Sequence, residues 1–154
     1  MSFREKAAWI AVLTTLPVWG YYFFSVWQSY WALTLDSDDV LRRFLICMAI
    51  TVVTLLGLNL LSAYLGKHQF GGDLDEAERA IDARANAIGG RLLEWLAVGV
   101  AAFSPWAATN VAAVYADAPV AIIGIVAANV VLLIVVFSQT IHELVHIVGH
   151  RMMN

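Results

Sequence analysis

Charged side chains are scarce in this sequence, and cysteine is nearly absent. Only 14% of its 154 residues are Asp, Glu, Lys or Arg, whereas soluble proteins contain about a quarter. Because Cys47 is the only cysteine, the chain has no intrachain disulfide and no zinc site built from several thiolates. Its net charge of -3 gives none of the basic surface that is typical of nucleic-acid binding, so no nucleic-acid partner is expected.

Several widespread catalytic and cofactor motifs are also missing. The sequence contains no Walker loop, no glycine-rich dinucleotide fingerprint, no G-x-S-x-G elbow and no C-x-x-C-H haem attachment site. These absences argue against the common nucleotide-binding loops, the α/β-hydrolase nucleophile and covalently attached haem.

Long apolar runs, by contrast, occupy most of the chain. Hydrophobic residues make up 61% of the sequence, and the mean hydropathy is +0.75. A bilayer core about 30 Å thick is crossed by roughly 20 apolar helical residues, and four runs reach that length without an ionisable residue near the middle. We therefore predict an all-α polytopic membrane protein in a lipid bilayer, with a single four-transmembrane-helix bundle over residues 1–154. The predicted spans are 7–31, 41–65, 92–115 and 120–141. The first run is too long for a cleaved signal peptide, so we expect it to be retained.

The positive charges are distributed unevenly between the two predicted sides of the membrane. Loops rich in Lys and Arg tend to stay in the cytoplasm during insertion. With both termini inside, only Arg42 and Arg43 lie outside, and the remaining seven basic residues are cytoplasmic: Arg4, Lys6, Lys67, Arg79, Arg84, Arg91 and Arg151. The sequence therefore predicts that both termini are cytoplasmic.

The predicted outer connection, 34–40, is acidic. It contains Asp36, Asp38 and Asp39. Carboxylates at the start of a helix accept hydrogen bonds from its free N–H groups. We expect these residues to cap the second helix and to pair with Arg42 or Arg43.

The cytoplasmic connection, 66–91, predicts an interfacial amphipathic helix between spans two and three. Asp73 and Glu76 have the spacing of a capping box. An apolar stripe at helical spacing follows, formed by Ile81, Ala85, Ile88 and Leu92. The pair Gly89-Gly90 is interpreted as a hinge where this helix turns into the bilayer. The alternative to a solvated connector is a docking surface for a cytoplasmic protein partner.

Polar and small residues within the spans predict that the helices pack together. Polar side chains are costly in lipid and should turn toward neighbouring helices; they are Thr51, Thr54, Asn59, Thr109, Asn110, Asn129 and Gln139. Small residues four apart, such as Ala108 and Ala112, let helix backbones approach closely. We expect packing within one chain, with a homodimer interface as the alternative.

The cytoplasmic connection also has a short motif, formed by Asp75, Glu76, Glu78, Arg79, Ile81 and Ala85. Together with the four-span layout, it resembles a family of small, functionally uncharacterised prokaryotic membrane proteins. Members of that family have an Asp-Glu-Arg-rich motif and an Ile-x-x-x-Ala run before span three, and here Ala77 interrupts the motif. The resemblance implies an accessory or regulatory protein in a prokaryotic inner membrane.

A possible metal site lies near the C-terminus, where the sequence reads His-Glu-Leu-Val-His. On a helix, His142 and His146 share one face and suit a single zinc ion, with Glu143 beside them as the base of a hydrolytic reaction. A third ligand is needed. His150 lies about 12 Å from His142 along a continuous helix, too far for all three histidines to bind one ion.

Further ligands are expected on the same membrane face. His68 ends the second span, and the adjoining loop contains acidic residues, namely Asp73, Asp75, Glu76 and Glu78. The predicted metal ligands are therefore His142, His146, His68 and His150. A di-iron site lacks a second Glu-x-x-His and has only Glu94 near that membrane face, and haem would need His68 opposite His142 or His146.

These residues leave two interpretations open. Histidines near a helix C-terminus also oppose the negative end of the helix dipole, without any metal. We therefore predict a non-enzymatic accessory or regulatory membrane protein for which no cofactor is firmly implied. The alternative is a zinc-dependent hydrolase or metal-binding membrane protein, in which Glu143 is catalytic only if the protein is a hydrolase.

Overall fold

The computed structural model describes residues 3–66, 76–117 and 119–153, and it is all-α. Its helices are α1 (Phe3–Trp31), α2 (Ser37–Gly66), α3 (Glu76–Val114) and α4 (Pro119–Met153). Each of the four is long and apolar enough to cross a membrane. The predicted all-α structure and the number of candidate spans are therefore confirmed.

The helices are arranged in an open row rather than around a closed core. Among the described residues, α4 packs closely on α3 and on α1, α1 packs on α2, and α2 only touches α4. The α3 backbone closely approaches no described helix other than α4. The spatial order is therefore α2, α1, α4, α3.

The connection between α1 and α2 is a tight, acidic turn. Leu33 has a positive φ of 57°, in the left-handed region. Asp36 Oδ2 accepts hydrogen bonds from the N–H groups of Asp38 and Asp39, at 3.1 and 3.2 Å. Asp39 in turn pairs with Arg42 and Arg43, at 3.1 and 2.8 Å. The predicted cap and ion pairs are therefore confirmed.

Aromatic residues fill the main contact region between α1, α2 and α4. Trp19 and Tyr22 lie edge to face, with ring centroids 5.6 Å apart, and Cys47 is buried beside them. Near the end of α3, Val111 reaches the same cluster, and the Tyr115 hydroxyl donates a hydrogen bond to the carbonyl of Tyr30 at 2.6 Å. The end of α3 is thereby tied to α1.

Two polar side chains of α3 have hydrogen-bond partners within their own helix and not, as predicted, on a neighbouring helix. Thr109 Oγ1 and Asn110 Nδ2 both donate to the Trp106 carbonyl of their own helix, at 2.8 and 2.7 Å, and both side chains are exposed. The expectation that they turn toward neighbouring helices is wrong, because a carbonyl one turn earlier in the same helix is within reach.

The predicted hinge at Gly89-Gly90 is wrong, because α3 is continuous from Glu76 to Val114. Gly89 instead lies against α4, where an added Cβ would be 3.2 Å from the Cβ of His142. Ser138 Oγ also donates a hydrogen bond to the Gly89 carbonyl, at 2.6 Å. The first part of α3 is thus packed on α4 and does not form a helix of its own. The predicted cap at Asp73 lies outside the described residues.

Candidate metal-binding site

Two glycines allow the beginning of α3 to lie close against the end of α4. Gly89 faces Ser138 and His142, as described above, and Gly149 of α4 faces Ile81 of α3. The two helices therefore run antiparallel here, with Ile81 and Ala85 buried between them. Asp82 and Asn86, each one position further along α3, lie at the edge of this contact.

Asp82, His142 and His146 form a compact group at that edge. Each offers one potential ligand atom, and these atoms all lie within 4.8 Å of one another. His146 Nε2 is 3.3 Å from Asp82 Oδ1, and the two imidazole rings are 4.8 Å apart between centroids. Two ligand atoms about 2.0–2.1 Å from one tetrahedral zinc ion would be separated by roughly 3.3 Å. The Asp82–His146 pair already has that separation.

Asn86 connects the carboxylate to the second imidazole. Its Nδ2 donates to Asp82 Oδ2 at 3.3 Å, and its Oδ1 lies 3.1 Å from His142 Nε2. With Nε2 carrying a proton, His142 donates to Asn86, and its Nδ1 retains the lone pair. Asn86 therefore holds both neighbouring ligand groups in place.

Burial differs among the three potential ligands. The His146 side chain is 11% exposed and that of His142 is 18% exposed, whereas that of Asp82 is 39% exposed. The site is therefore open on the α3 side. His142 Nδ1 is buried and has no hydrogen-bond partner within the described part of the chain. A buried nitrogen of this kind is costly unless a hydrogen-bond partner or a metal ion satisfies it.

Glu143 lies beside the group rather than within it. Its Oε1 accepts a hydrogen bond from Gln139 Nε2 at 3.0 Å. The same oxygen is 3.6 Å from His142 Nδ1, which is too long for a hydrogen bond. In this position the carboxylate contributes negative charge next to His142.

The two remaining histidines from the prediction are not part of this group. The His150 ring is stacked beside that of His146 at 6.3 Å, and His150 is not in the group of Asp82, His142 and His146. His68 lies outside the described residues.

Arg151 joins the end of α4 to the start of α1. Its guanidinium lies over the Trp9 ring, 5.5 Å from the ring centroid, and its Nε is 3.6 Å from Glu5 Oε1.

Asp82 was missing from the sequence prediction. Its signal was indirect: the stripe containing Ile81 and Ala85 marks the face of α3 that is buried, and Asp82 and Asn86 follow these two residues at the same spacing. A polar pair four apart at the edge of a buried helix face is a candidate for a site shared with the neighbouring helix. The sequence alone does not tell which helix that neighbour is.

Comparisons with family models, with curated proteins and with solved structures found no match. The resemblance to the four-span prokaryotic family therefore stays a prediction. The chemistry of the site is interpreted from its geometry alone.

Two imidazoles and one carboxylate are a ligand set that zinc and similar divalent ions favour. Three such ligands leave a fourth tetrahedral position for water or for another protein group. The described residues near Asp82, His142 and His146 thus have the donor chemistry of a small metal centre that joins α3 to α4.

Proposed function

We propose that this chain is an integral membrane protein of accessory or regulatory type that binds a divalent metal ion between α3 and α4. Its setting is proposed to be a prokaryotic inner membrane, with both termini in the cytoplasm. Four apolar helices support membrane insertion, the distribution of Lys and Arg supports the orientation, and the family resemblance supports the prokaryotic inner membrane.

The observation behind metal binding is the convergence of Asp82, His142 and His146. The carboxylate comes from a helix more than 50 residues away in sequence, and its Oδ1 lies 3.3 Å from His146 Nε2. Solvation of a helix end explains histidines near residue 146, and an ion pair explains one contact between Asp82 and His146. The metal proposal rests on the second imidazole, that of His142, lying within reach of the same pair. Zinc is the proposed ion, because imidazole and carboxylate ligands both suit it.

A structural or regulatory ion is favoured over catalysis by the position of Glu143. In a zinc hydrolase of this motif, the glutamate activates a metal-bound water. Here its Oε1 is already held by a hydrogen bond from Gln139. Zinc-dependent hydrolysis is the second candidate, favoured by the fourth position that three ligands leave for water.

Metal analysis of the purified protein tests the proposal. We expect one zinc ion per chain in detergent-purified protein, measured by inductively coupled plasma mass spectrometry after dialysis against zinc. Asp82→Asn and His146→Ala should each lose it. Glu94→Gln, which removes a carboxylate from an exposed position of the same helix, and His150→Ala should both retain it.

Two results would reject this assignment. Absence of stoichiometric metal in the unmodified, folded protein would reject metal binding altogether. Full retention of zinc in Asp82→Asn, with loss in His150→Ala, would show a different ligand set. Glu143→Gln separates the two candidate functions, since only a hydrolase should keep its zinc and lose turnover of a peptide or ester substrate.

A further inference from the structure

An apolar groove runs along the flank of the α3–α4 pair that lies away from the metal site. Near the beginning of α3 it has a volume of about 740 Å³ and is lined by Ile81, Ile88, Ile141, Val148 and other apolar residues. Asp82 and Asn86 are not part of its lining. The groove and the metal site are therefore separate features of the same helix pair.

A second groove lies deeper on the same flank. It has a volume of about 640 Å³ and is lined by Trp95, Gly99 and Phe103 of α3 and by residues of α4 that include Ile134. Trp95 is seven positions after Ile88, and Ile141 is seven positions after Ile134, so each pair shares one helix face. The two grooves are consecutive parts of one apolar furrow between α3 and α4.

Positive charge is found on the α3 side of this furrow, beside the first groove and between the two grooves. Among the described residues that line the first groove, Arg84 is the only charged one. Arg91, seven positions later, lies on the same face of α3 and is exposed. Within residues 3–66, 76–117 and 119–153, neither guanidinium has an acidic partner. Among the described residues, this part of the furrow therefore carries unpaired positive charge, which attracts anions.

We infer that this furrow is a binding site for an anionic glycerophospholipid, with the phosphate at Arg84 and Arg91 and an acyl chain along the apolar part. Residues 92–103 of a helix extend about 17 Å along its axis. One leaflet contributes roughly 15 Å of hydrocarbon. The apolar part is therefore long enough for the acyl chain of a lipid in one leaflet, and it begins immediately beside the two arginines.

The charge and the apolar wall select different parts of the lipid. A guanidinium forms paired hydrogen bonds to phosphate and attracts an anionic headgroup more than a zwitterionic one. Trp95, which is 75% exposed, lies at the start of the apolar part, one turn after Arg91, where an indole favours the membrane interface. The site depends on the membrane insertion proposed above, but not on metal binding.

Competition between two lipids with identical acyl chains tests the headgroup. Binding of phosphatidylglycerol and of phosphatidylcholine to the full chain in detergent is measured by native mass spectrometry. We expect about fivefold tighter binding of phosphatidylglycerol for each arginine that contacts it, since a basic residue near a membrane surface contributes about 1 kcal/mol. Arg84→Gln should lower phosphatidylglycerol affinity about fivefold and phosphatidylcholine affinity less, because the choline cation offsets the charge of its phosphate.

Two further variants complete the test. Arg79→Gln removes the same charge from α3 outside the lining and should not change the preference. Gly99→Phe should fill the deeper groove and weaken both lipids, because an added Cβ there meets no atom within 4 Å. Gly124→Phe, also at an open position but outside the lining, is its control.

Specific results would overturn the inference. These are equal binding of the two lipids by the unmodified chain, an equal effect of Arg79→Gln and Arg84→Gln, or an equal effect of the two phenylalanine variants. Displacement of phosphatidylglycerol by millimolar inorganic phosphate would also overturn it, because the site would then recognise phosphate alone. Circular dichroism of each variant establishes that it is folded, and failure of membrane insertion is detected separately by alkaline extraction of the membranes.

Discussion

Ile81 in α3 lies directly against Gly149 in α4, so closely that a Cβ on the glycine would be 2.8 Å from Ile81 Cγ2. This contact sets the distance between the two helices one turn away from His146. We expect Gly149→Ala to lower stability by up to about 2 kcal/mol, because overpacking costs about 1–3 kcal/mol and alanine returns about 1 kcal/mol of helix propensity. It should also weaken zinc binding. Thermal unfolding in detergent and a zinc titration measure both effects.

Gly90→Ala is the matched control for that prediction. Gly90 is also within a helix, and an added Cβ there meets nothing within 4 Å. This variant should be stabilised by up to about 1 kcal/mol and bind zinc normally. Equal stabilisation of the Gly149 and Gly90 variants would contradict the close helix contact.

Asn86→Ala should weaken the proposed zinc site without abolishing it. Asn86 contacts both Asp82 and His142 but is not itself one of the three ligands. Loss of a residue that orients metal ligands typically costs about 10–100-fold in affinity. The zinc dissociation constant should rise by that factor while the stoichiometry at saturation stays one. Asn110→Ala, at an exposed asparagine bonded to its own helix, is expected to have no effect on it.

Zinc binding should be lost in acid. A ligand imidazole must be unprotonated to bind metal, and free imidazole takes up a proton near about pH 6.5. The affinity should therefore fall between about pH 7.5 and about pH 5.5, because protons compete with the metal ion for the imidazole nitrogens. Titration with a competing zinc chelator at both pH values measures this. An equal zinc affinity at the two pH values would contradict histidine ligation.

Both ends of the chain should be labelled from the cytoplasmic side. In a Cys47→Ser background, single cysteines at residues 2 and 154 should react with a membrane-impermeant maleimide in inverted vesicles, because the Lys and Arg distribution predicts inside termini. Cysteines at Asp36, between α1 and α2, and at Asp117, between α3 and α4, should react in intact spheroplasts, because both connections are predicted to lie outside. Labelling of residues 2 and 154 from opposite sides would rule out an even number of membrane crossings.

The helices were predictable from hydropathy because each candidate span is a long run of apolar residues. In lipid, such a run must form a helix to satisfy its backbone hydrogen bonds. The second predicted span, 41–65, lies within α2, and the acidic start of that helix followed from capping chemistry at Asp36. The continuity of α3 was not predictable in the same way. Consecutive glycines are equally suited to a bend and to close helix packing, and only the position of His142 in α4 decides between them.

The site was half predictable for a related reason. His142 and His146 share a helix face by spacing alone, so their proximity needed no tertiary information. Asp82 required knowledge of both the neighbour of α3 and the register of their contact, which the pairing of Ile81 with Gly149 determines. His68 was a reasonable candidate by its position after span two and stays untested, since it lies outside the described residues.

The position of α3 at one end of the row leaves it with fewer neighbours than α1. For most of its described length, α3 is fastened through α4, and near Val111 and Tyr115 it also contacts α1. Pulling on the start of α3 should therefore separate it from the other helices at lower force than extraction of α1, which packs on both α2 and α4. An ion bound by Asp82 and the two histidines would resist that separation. It would hold α3 to α4 at the end of α3 that is farthest from Val111 and Tyr115.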